Sequence, residues 1–209
     1  MSKLNDEILW NTYSNVHQQE LIDLSVNFDL IINSFHIEND ELIINDRLHD
    51  NWREIYYQVW KLNVNSVFEV GCGSGQHLIN LRRMNDKIIL TGCDISFNQL
   101  LIGCRFFDLH KYDFASNLSV ENFAALNPDS LLMMPCEFVF SQAVVMHLST
   151  INAAIFLNNL KLKSSKYILL LDSKANHSNY KELIDFSFPK TEYVRHEPKY
   201  SDGLIFERI

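Results

Sequence analysis

The sequence has few basic residues and no long apolar run. Its 18 lysine and arginine residues are outnumbered by 26 acidic residues, which gives a formal net charge of −8. Nucleic-acid binding needs clustered basic side chains that neutralise phosphates, and no basic stripe is present, so we expect no nucleic-acid partner. No apolar segment approaches the ~18 residues that a membrane-spanning helix requires, so we expect no membrane partner.

Cysteine is also scarce. Cys72, Cys93, Cys104 and Cys136 stand singly among mostly apolar residues, without the CxxC spacing of metal sites. We interpret them as reduced thiols and predict no metal site. Residues 1–16 lack the cationic start, apolar run and cleavage site of a signal peptide. Together these features predict a cytoplasmic location.

The hydrophobic pattern divides the chain in two. Apolar residues recur at helical spacing over residues 6–35 and 51–62, with a short extended piece at 41–47, so residues 1–62 are predicted to form a helical cap. From residue 63 onward, short apolar runs alternate with segments of helical spacing, which predict helices at 75–84, 96–112, 123–132 and 150–162. These runs predict strands at 65–70, 87–94, 117–122, 136–142 and 166–172, and two closing strands are predicted at 190–197 and 202–209.

The alternation of strand and helix after residue 63 predicts a fold class. It is typical of a doubly wound α/β protein, in which right-handed crossovers place helices on both faces of a parallel sheet. No repeat, low-complexity tract or linker interrupts the sequence. We therefore predict one domain over 1–209, with the cap at 1–62 and the core at 63–209.

Glycine is rare, yet three of the six glycines fall within five positions. In "VFEVGCGSGQ", Gly71, Gly73 and Gly75 follow the first predicted strand and open the next helix, the crevice position of a doubly wound sheet. Backbone without Cβ atoms lets a ligand approach closely, and a helix N-terminus offers N–H groups. A single glycine would indicate an ordinary turn, whereas three at alternate positions favour a ligand-binding loop.

Acidic residues accompany this loop. A dinucleotide-binding GxGxxG fingerprint would have its third glycine where Gln76 stands, so the spacing disfavours a pyrophosphate ligand. Glu69 could attract the cationic tail of a nucleoside. Asp94 ends the second predicted strand, where a carboxylate can accept hydrogen bonds from both hydroxyls of a ribose. The alternative for Asp94 is to be the N-cap of the helix that begins near Ser96.

These motifs carry a family resemblance. "VFEVGCGSGQHLINL" followed by "LTGCDIS" resembles motifs I and II of the class I S-adenosylmethionine-dependent methyltransferases, in a match that extends over about residues 50–175. "NLSVENFAAL" is similar to the third motif, with Asn122 beside Glu121 where the family often has an acidic residue near the adenine amine. "CEFVFSQAVVMHLS" resembles the fourth-strand motif of the small-molecule branch.

The resemblance implies a fold, a cofactor and a set of site residues. The expected fold is a Rossmann-like sheet of seven mostly parallel strands with an antiparallel last strand, and the expected cofactor is S-adenosylmethionine. His147, just after the fourth strand, is the candidate general base, and its alternative is a structural role in the rim. The residues expected to bind the cofactor are Glu69, Gly71, Gly73, Gly75, Asp94, Ile95, Asn122 and Gln142.

The leading hypothesis is therefore a methyltransferase for a small molecule, with a hydroxyl or carboxylate oxygen of a sugar or other metabolite as the acceptor. Adenine-N6 and glutamine methyltransferases commonly have an Asn/Asp-Pro-Pro-aromatic tetrad at the fourth strand. Ser141–Gln142–Ala143–Val144 stands there instead, which disfavours that chemistry. Two alternatives are an NAD-linked oxidoreductase and a non-catalytic partner or binding subunit with the same fold.

Overall fold

The computed structural model describes residues 34–124, 135–172 and 179–209. In these ranges the helices are α1 (Asp50–Leu62), α2 (Gln76–Met84), α3 (Phe97–Phe106), α4 (Thr150–Lys163) and α5 (Tyr180–Ser187). The strands are β1 (Phe35–Glu38), β2 (Glu41–Ile44), β3 (Ser66–Val70), β4 (Ile89–Asp94), β5 (Leu118–Val120), β6 (Cys136–Gln142), β7 (Ser164–Leu171), β8 (Tyr193–His196) and β9 (Leu204–Arg208).

Seven strands form one sheet in the order β5-β4-β3-β6-β7-β9-β8. The five strands from β5 to β7 run parallel, whereas β9, the last strand in sequence, pairs antiparallel with both β7 and β8. This confirms the predicted Rossmann-like sheet with an antiparallel last strand. Strand order reverses between β3 and β6, and ligands of doubly wound sheets bind in the crevice beyond the strand ends at such a point.

Alternate residues of the strands pack on opposite faces of the sheet, as the pleat requires. Val67 and Phe140 face the layer formed by α1, α2 and α3, while Phe68 and Val139 face α4 and α5. Both faces are therefore buried, which explains why the central strands are almost continuously apolar.

The described part of the predicted cap, residues 34–62, contains two strands before α1. β1 and β2 form an antiparallel hairpin, of which only the second strand was expected. Asn39 and Asp40 make the turn with positive φ angles of 51° and 61°, a conformation that polar Asn and Asp tolerate well in two-residue hairpins. Most of the predicted helix at 6–35 lies outside the described residues.

The helix predicted over 96–112 is also shorter than expected. α3 ends at Phe106, and Asp108 adopts a left-handed φ of 51° before two 3₁₀ turns at Leu109–Lys111 and Asp113–Asn117. Nearly all of the short helix predicted after Phe123 falls outside the described residues. None of the helices within the described ranges is long and apolar enough to cross a membrane.

Candidate functional site

A crevice opens at the carboxyl ends of β3, β4, β5 and β6, where the strand order reverses. It has a volume of about 130 Å³ and is lined by both polar groups and apolar side chains. The lining residues are Val70, Gly71, Cys93, Asp94, Ile95, Glu121, Asn122, Phe123, Ala124, Gln142, Ala143, Val144, Leu148 and Phe156. Of the residues predicted to bind a cofactor, it contains Gly71, Asp94, Ile95, Asn122 and Gln142.

The glycine loop connects β3 to α2 along one wall of the crevice. All three of its glycines have positive φ angles, so the backbone itself disfavours other residues there. A Cβ atom on Gly71 would lie 2.3 Å from Cγ2 of Val144, whereas one on Gly73 would approach no side chain closer than 3.8 Å. Glycine is thus required at position 71 because a side chain there would collide with Val144. Among the three loop glycines, Gly73 alone has open space where its side chain would be.

Asp94 holds the glycine loop and the start of α3 together. Its Oδ2 accepts a hydrogen bond from the Gly73 N–H over 2.9 Å, and its Oδ1 accepts one from the Ser96 N–H over 2.8 Å. Ser96 is the N-cap of α3, since its hydroxyl accepts from the Gln99 N–H, so the N-cap alternative for Asp94 does not hold. Burial raises the pKa of the Asp94 carboxyl, while the two N–H donors oppose that shift.

The next strand brings Glu121 and Asn122 to the crevice. The Asn122 Oδ1 accepts from the Ala124 N–H over 3.0 Å, a local turn contact. Glu121 accepts from the Ser119 hydroxyl through Oε1, while its Oε2 is buried without a hydrogen-bond partner among the described residues. Glu121 is therefore better placed than Asn122 to accept a hydrogen bond from a ligand in the crevice, although the sequence pattern favoured Asn122.

Glu69 lies deeper than the crevice lining. Its side chain is only 2% exposed, and no described residue donates a hydrogen bond to its buried Oε2. Burial, aided by the nearby charge of Asp94, raises the pKa of Glu69 well above its ordinary value and so favours the neutral carboxyl. Its attraction for a cationic tail stays a prediction, because that attraction requires the ionised form.

The carboxyl end of β6 contributes Gln142 and Ala143. The Gln142 Oε1 lies 3.1 Å from Nε2 of His77, a buried histidine of α2 that the sequence analysis did not single out. Ala143 adopts a positive φ of 55°, and its N–H donates to the Leu171 carbonyl over 3.1 Å. This left-handed turn directs the chain into the 3₁₀ turn that follows, Val145–His147.

The structure places His147, the candidate general base, outside the crevice lining. It ends that 3₁₀ turn and is largely exposed. Partial burial lowers the pKa of its imidazole below the usual 6.5, which keeps the ring neutral at physiological pH. Its role as a base stays a prediction.

The polar character of the crevice is acidic. The described residues that line it include the carboxylates of Asp94 and Glu121 and no lysine or arginine. Such a lining suits a ligand that presents hydroxyl or amine hydrogens and positive charge. It does not suit a pyrophosphate, whose negative charges would meet carboxylates without a basic partner.

The strand order, the antiparallel insertion of β9 and the place of the crevice together define the fold of the class I S-adenosylmethionine-dependent methyltransferases. No protein-family model matches the sequence, and no curated protein matches it either. Solved structures match the chain closely enough in backbone geometry to establish this fold.

Three of these structures illustrate the match. Magnesium protoporphyrin IX methyltransferase (ChlM) from Synechocystis, solved with bound SAM, has a TM-score of 0.59 at 16% identity, covering 77% of this chain and 80% of that one. The methyltransferase domain of bacterial CtHen1 has a TM-score of 0.60 at 12% identity, and the match covers 76% of this chain and 97% of that domain. CalS10, an amino pentose methyltransferase from Micromonospora echinaspora solved with SAM, has a TM-score of 0.57 at 10% identity. The match covers 77% of this chain and 91% of that one.

Proposed function

We propose that this protein is an S-adenosylmethionine-dependent methyltransferase that acts on a small-molecule acceptor. The observation that carries the proposal is the grouping of Gly71, Asp94 and Glu121 around one crevice at the point where the strand order reverses. Similar solved structures hold SAM or SAH. The residues present fit such a nucleoside, because the crevice lining combines apolar side chains with the carboxylates of Asp94 and Glu121.

Each wall of the crevice has a part in holding the nucleoside. Asp94 accepts hydrogen bonds from the ribose hydroxyls, since each carboxylate oxygen has lone pairs beyond those used by Gly73 and Ser96. The unpartnered Oε2 of Glu121 accepts from a further hydroxyl or from the adenine amine. Phe123 and Leu148 supply apolar surface on which a base can pack.

The bound cofactor supplies an activated methyl group that is transferred by in-line displacement. The protein has to align the acceptor, exclude water and take up the acceptor's proton. In our proposal His147 performs that last task from the rim after β6, where a neutral imidazole can receive a proton from a hydroxyl. A carboxylate acceptor needs no base, so His147 is dispensable for that class of substrate.

The acceptor that we propose is a hydroxyl or carboxylate oxygen of a sugar or other metabolite. Ser141–Gln142–Ala143–Val144 at the end of β6 lacks the tetrad typical of adenine-N6 and glutamine methylation. CalS10, a similar structure, is described as an amino pentose methyltransferase, which supports a sugar as the acceptor. The net charge of −8 weighs against a nucleic-acid substrate.

Calorimetric titration with S-adenosylmethionine, S-adenosylhomocysteine and NAD tests the proposal. We expect heat of binding with the first two compounds and none with NAD. The proposal would be overturned if neither S-adenosylmethionine nor S-adenosylhomocysteine bound to the protein. Incubation with methyl-labelled cofactor and a metabolite extract then identifies the acceptor, and binding without any labelled product would favour the non-catalytic alternative.

A further inference from the structure

A row of hydrogen-bonded polar side chains runs through the apolar layer between α1, α2 and the sheet. The Asn80 amide donates to the Tyr56 hydroxyl over 2.8 Å, the Tyr56 oxygen lies 3.0 Å from Nδ1 of His77, and Nε2 of His77 lies 3.1 Å from Oε1 of Gln142. We call these four residues the buried relay. Tyr56 and Asn80 are fully buried and His77 is 5% exposed, while Gln142 lines the crevice.

The chemistry of the groups gives the relay a direction. The Asn80 nitrogen can only donate, and it donates both to Tyr56 and, over 3.1 Å, to the Ser34 hydroxyl. The Ser34 hydroxyl also bonds to the Tyr56 oxygen, and because Ser34 accepts from Asn80 it has its own proton to donate there. With both neighbours acting as donors, the Tyr56 proton is available for Nδ1 of His77. A neutral imidazole that accepts at Nδ1 carries its proton at Nε2, from which it donates to the Gln142 oxygen.

The environment keeps His77 neutral and fixes its ring. Burial lowers the pKa of His77 to about 4, so the imidazole is uncharged at physiological pH. The Trp52 ring lies edge-on at 4.9 Å between centroids, and the Phe140 ring lies edge-on at 6.2 Å. Rotation of the imidazole, which would exchange its two nitrogens, is therefore opposed by aromatic packing.

We propose that His77 is a positioning residue of the crevice: it holds the side-chain amide of Gln142 with its oxygen turned inward, so that the amide N–H₂ group is presented to the ligand. This inference rests on the proposed function and deepens it, since it assigns a donor to a crevice whose other polar side chains are mostly acceptors. The ligand group that an amide N–H₂ suits is a carboxylate. In an adenosyl ligand, that carboxylate is at the amino-acid end.

The test compares two ligands in wild-type protein and in His77→Phe, which keeps an aromatic ring but cannot bond to Gln142. S-adenosylhomocysteine has the amino-acid carboxylate, whereas 5′-methylthioadenosine lacks it. We expect the dissociation constant of S-adenosylhomocysteine to rise roughly tenfold in the variant, as for a lost hydrogen bond to a charged group. The dissociation constant of 5′-methylthioadenosine should stay within about twofold of its wild-type value. General damage to the crevice would instead weaken the binding of both ligands.

Two further variants provide controls. Gln142→Leu should give the same loss of selectivity between the ligands, and combining it with His77→Phe should add nothing more. Ser164→Ala removes a buried hydrogen bond of 2.9 Å to the Tyr167 carbonyl at the amino end of β7. It should lower stability without changing either dissociation constant. If His77→Phe does not fold, Tyr56→Phe serves instead, with a smaller loss expected for S-adenosylhomocysteine.

A readout without any ligand completes the test. Nitrogen-15 NMR of labelled histidine should show His77 protonated at Nε2 and unprotonated at Nδ1. A proton at Nδ1, or equal losses of affinity for both ligands in His77→Phe, would overturn the positioning role. If the wild-type protein binds no adenosyl compound, the proposed function is overturned instead. The His77 tautomer measured by NMR would still establish the orientation of the Gln142 amide.

Discussion

The Gly73 N–H donates to Oδ2 of Asp94 over 2.9 Å, so the loop that follows β3 is tied to the end of β4 by a side chain. The Gly71 and Cys72 N–H groups also donate to the Cys93 carbonyl, over 2.8 and 2.9 Å. The loop is thus held against the neighbouring strand before any ligand arrives. Asp94 has two tasks in consequence: it shapes the loop, and in our proposal it binds the ribose.

Replacing Asp94 should weaken nucleoside binding. Asp94→Ala removes every acceptor of that side chain, and hydrogen bonds to charged groups are worth about 1.5–3 kcal/mol each. We expect the dissociation constant of S-adenosylhomocysteine, measured by calorimetry, to rise at least tenfold. Asp94→Asn retains one acceptor oxygen and should give a smaller increase.

Asp113→Asn is the matched control, because that carboxylate is exposed and pairs with Arg82 over 3.0 Å, away from the crevice. It should bind as the wild-type protein does. If Asp94→Ala binds S-adenosylhomocysteine with unchanged affinity in protein that is fully folded by circular dichroism, the ribose assignment is wrong.

Glu121 and Asn122 compete for the same assignment at the end of β5. Of these two residues, Glu121 alone has a buried oxygen without a hydrogen-bond partner in the part of the chain that the structure describes. We therefore expect Glu121→Gln to weaken S-adenosylhomocysteine binding by roughly 1–2 kcal/mol, and Asn122→Ala to change it by less. The reverse ranking in calorimetry would restore Asn122 as the nucleoside contact.

Much of the fold could be predicted because the determinants are local. Buried parallel strands require continuous apolar runs, and the two faces of β3 and β6 are both covered. The glycine loop and Asp94 were found because their spacing is set by a single strand-turn-helix unit and its neighbour. The hairpin of β1 and β2 was missed in part because its strands are short and mostly exposed, so they carry little periodicity.

The buried relay could not be predicted, since its members come from three separate elements. Tyr56 and His77 each look like a single polar residue on an apolar helix face, and only the packing of α1 against α2 joins them. The strained φ of Ala143 is equally invisible in the sequence, because alanine carries no signal for a left-handed turn. A glycine there would have indicated it.

His147 should affect turnover but not cofactor affinity. The ring lies outside the crevice lining, so His147→Ala should bind S-adenosylhomocysteine normally while methyl transfer to a hydroxyl acceptor slows about 10²-fold. A general base must be neutral, so the wild-type rate should fall as the pH drops through the imidazole pKa, which partial burial places below 6.5. The variant should lack that acid limb. Equal rates and equal pH profiles would assign His147 a structural role.

Glu69 should make stability depend on pH in an unusual direction. Its folded-state pKa is raised above the ordinary 4.5 by burial and by Asp94. Its contribution to stability is complete below the unfolded pKa and is lost as the pH rises through the folded pKa. Glu69→Gln cannot ionise, so its free energy of unfolding relative to wild type should increase from pH 4.5 upward, as measured by urea denaturation.

Glu137→Gln provides a control of opposite sign. The pKa of that carboxyl is lowered because the Asn65 N–H groups donate to it, so its contribution is present above the unfolded pKa and is lost at acid pH. Relative to wild type, this variant should lose stability as the pH rises from the acid side. A flat difference between Glu69→Gln and wild type would mean that Glu69 is ionised in the folded protein.

Ala143, in the crevice lining, is held in a left-handed backbone conformation. Glycine should adopt that conformation at a lower energetic cost. With φ at 55°, the Cβ atom of Ala143 is sterically disfavoured, whereas glycine adopts that region freely. We expect Ala143→Gly to raise the free energy of unfolding by about 0.5–1 kcal/mol, although glycine normally destabilises. Ala154→Gly, within α4, should lower it by about 1 kcal/mol. Equal destabilisation by both substitutions in urea denaturation would show that Ala143 does not hold its positive φ in solution.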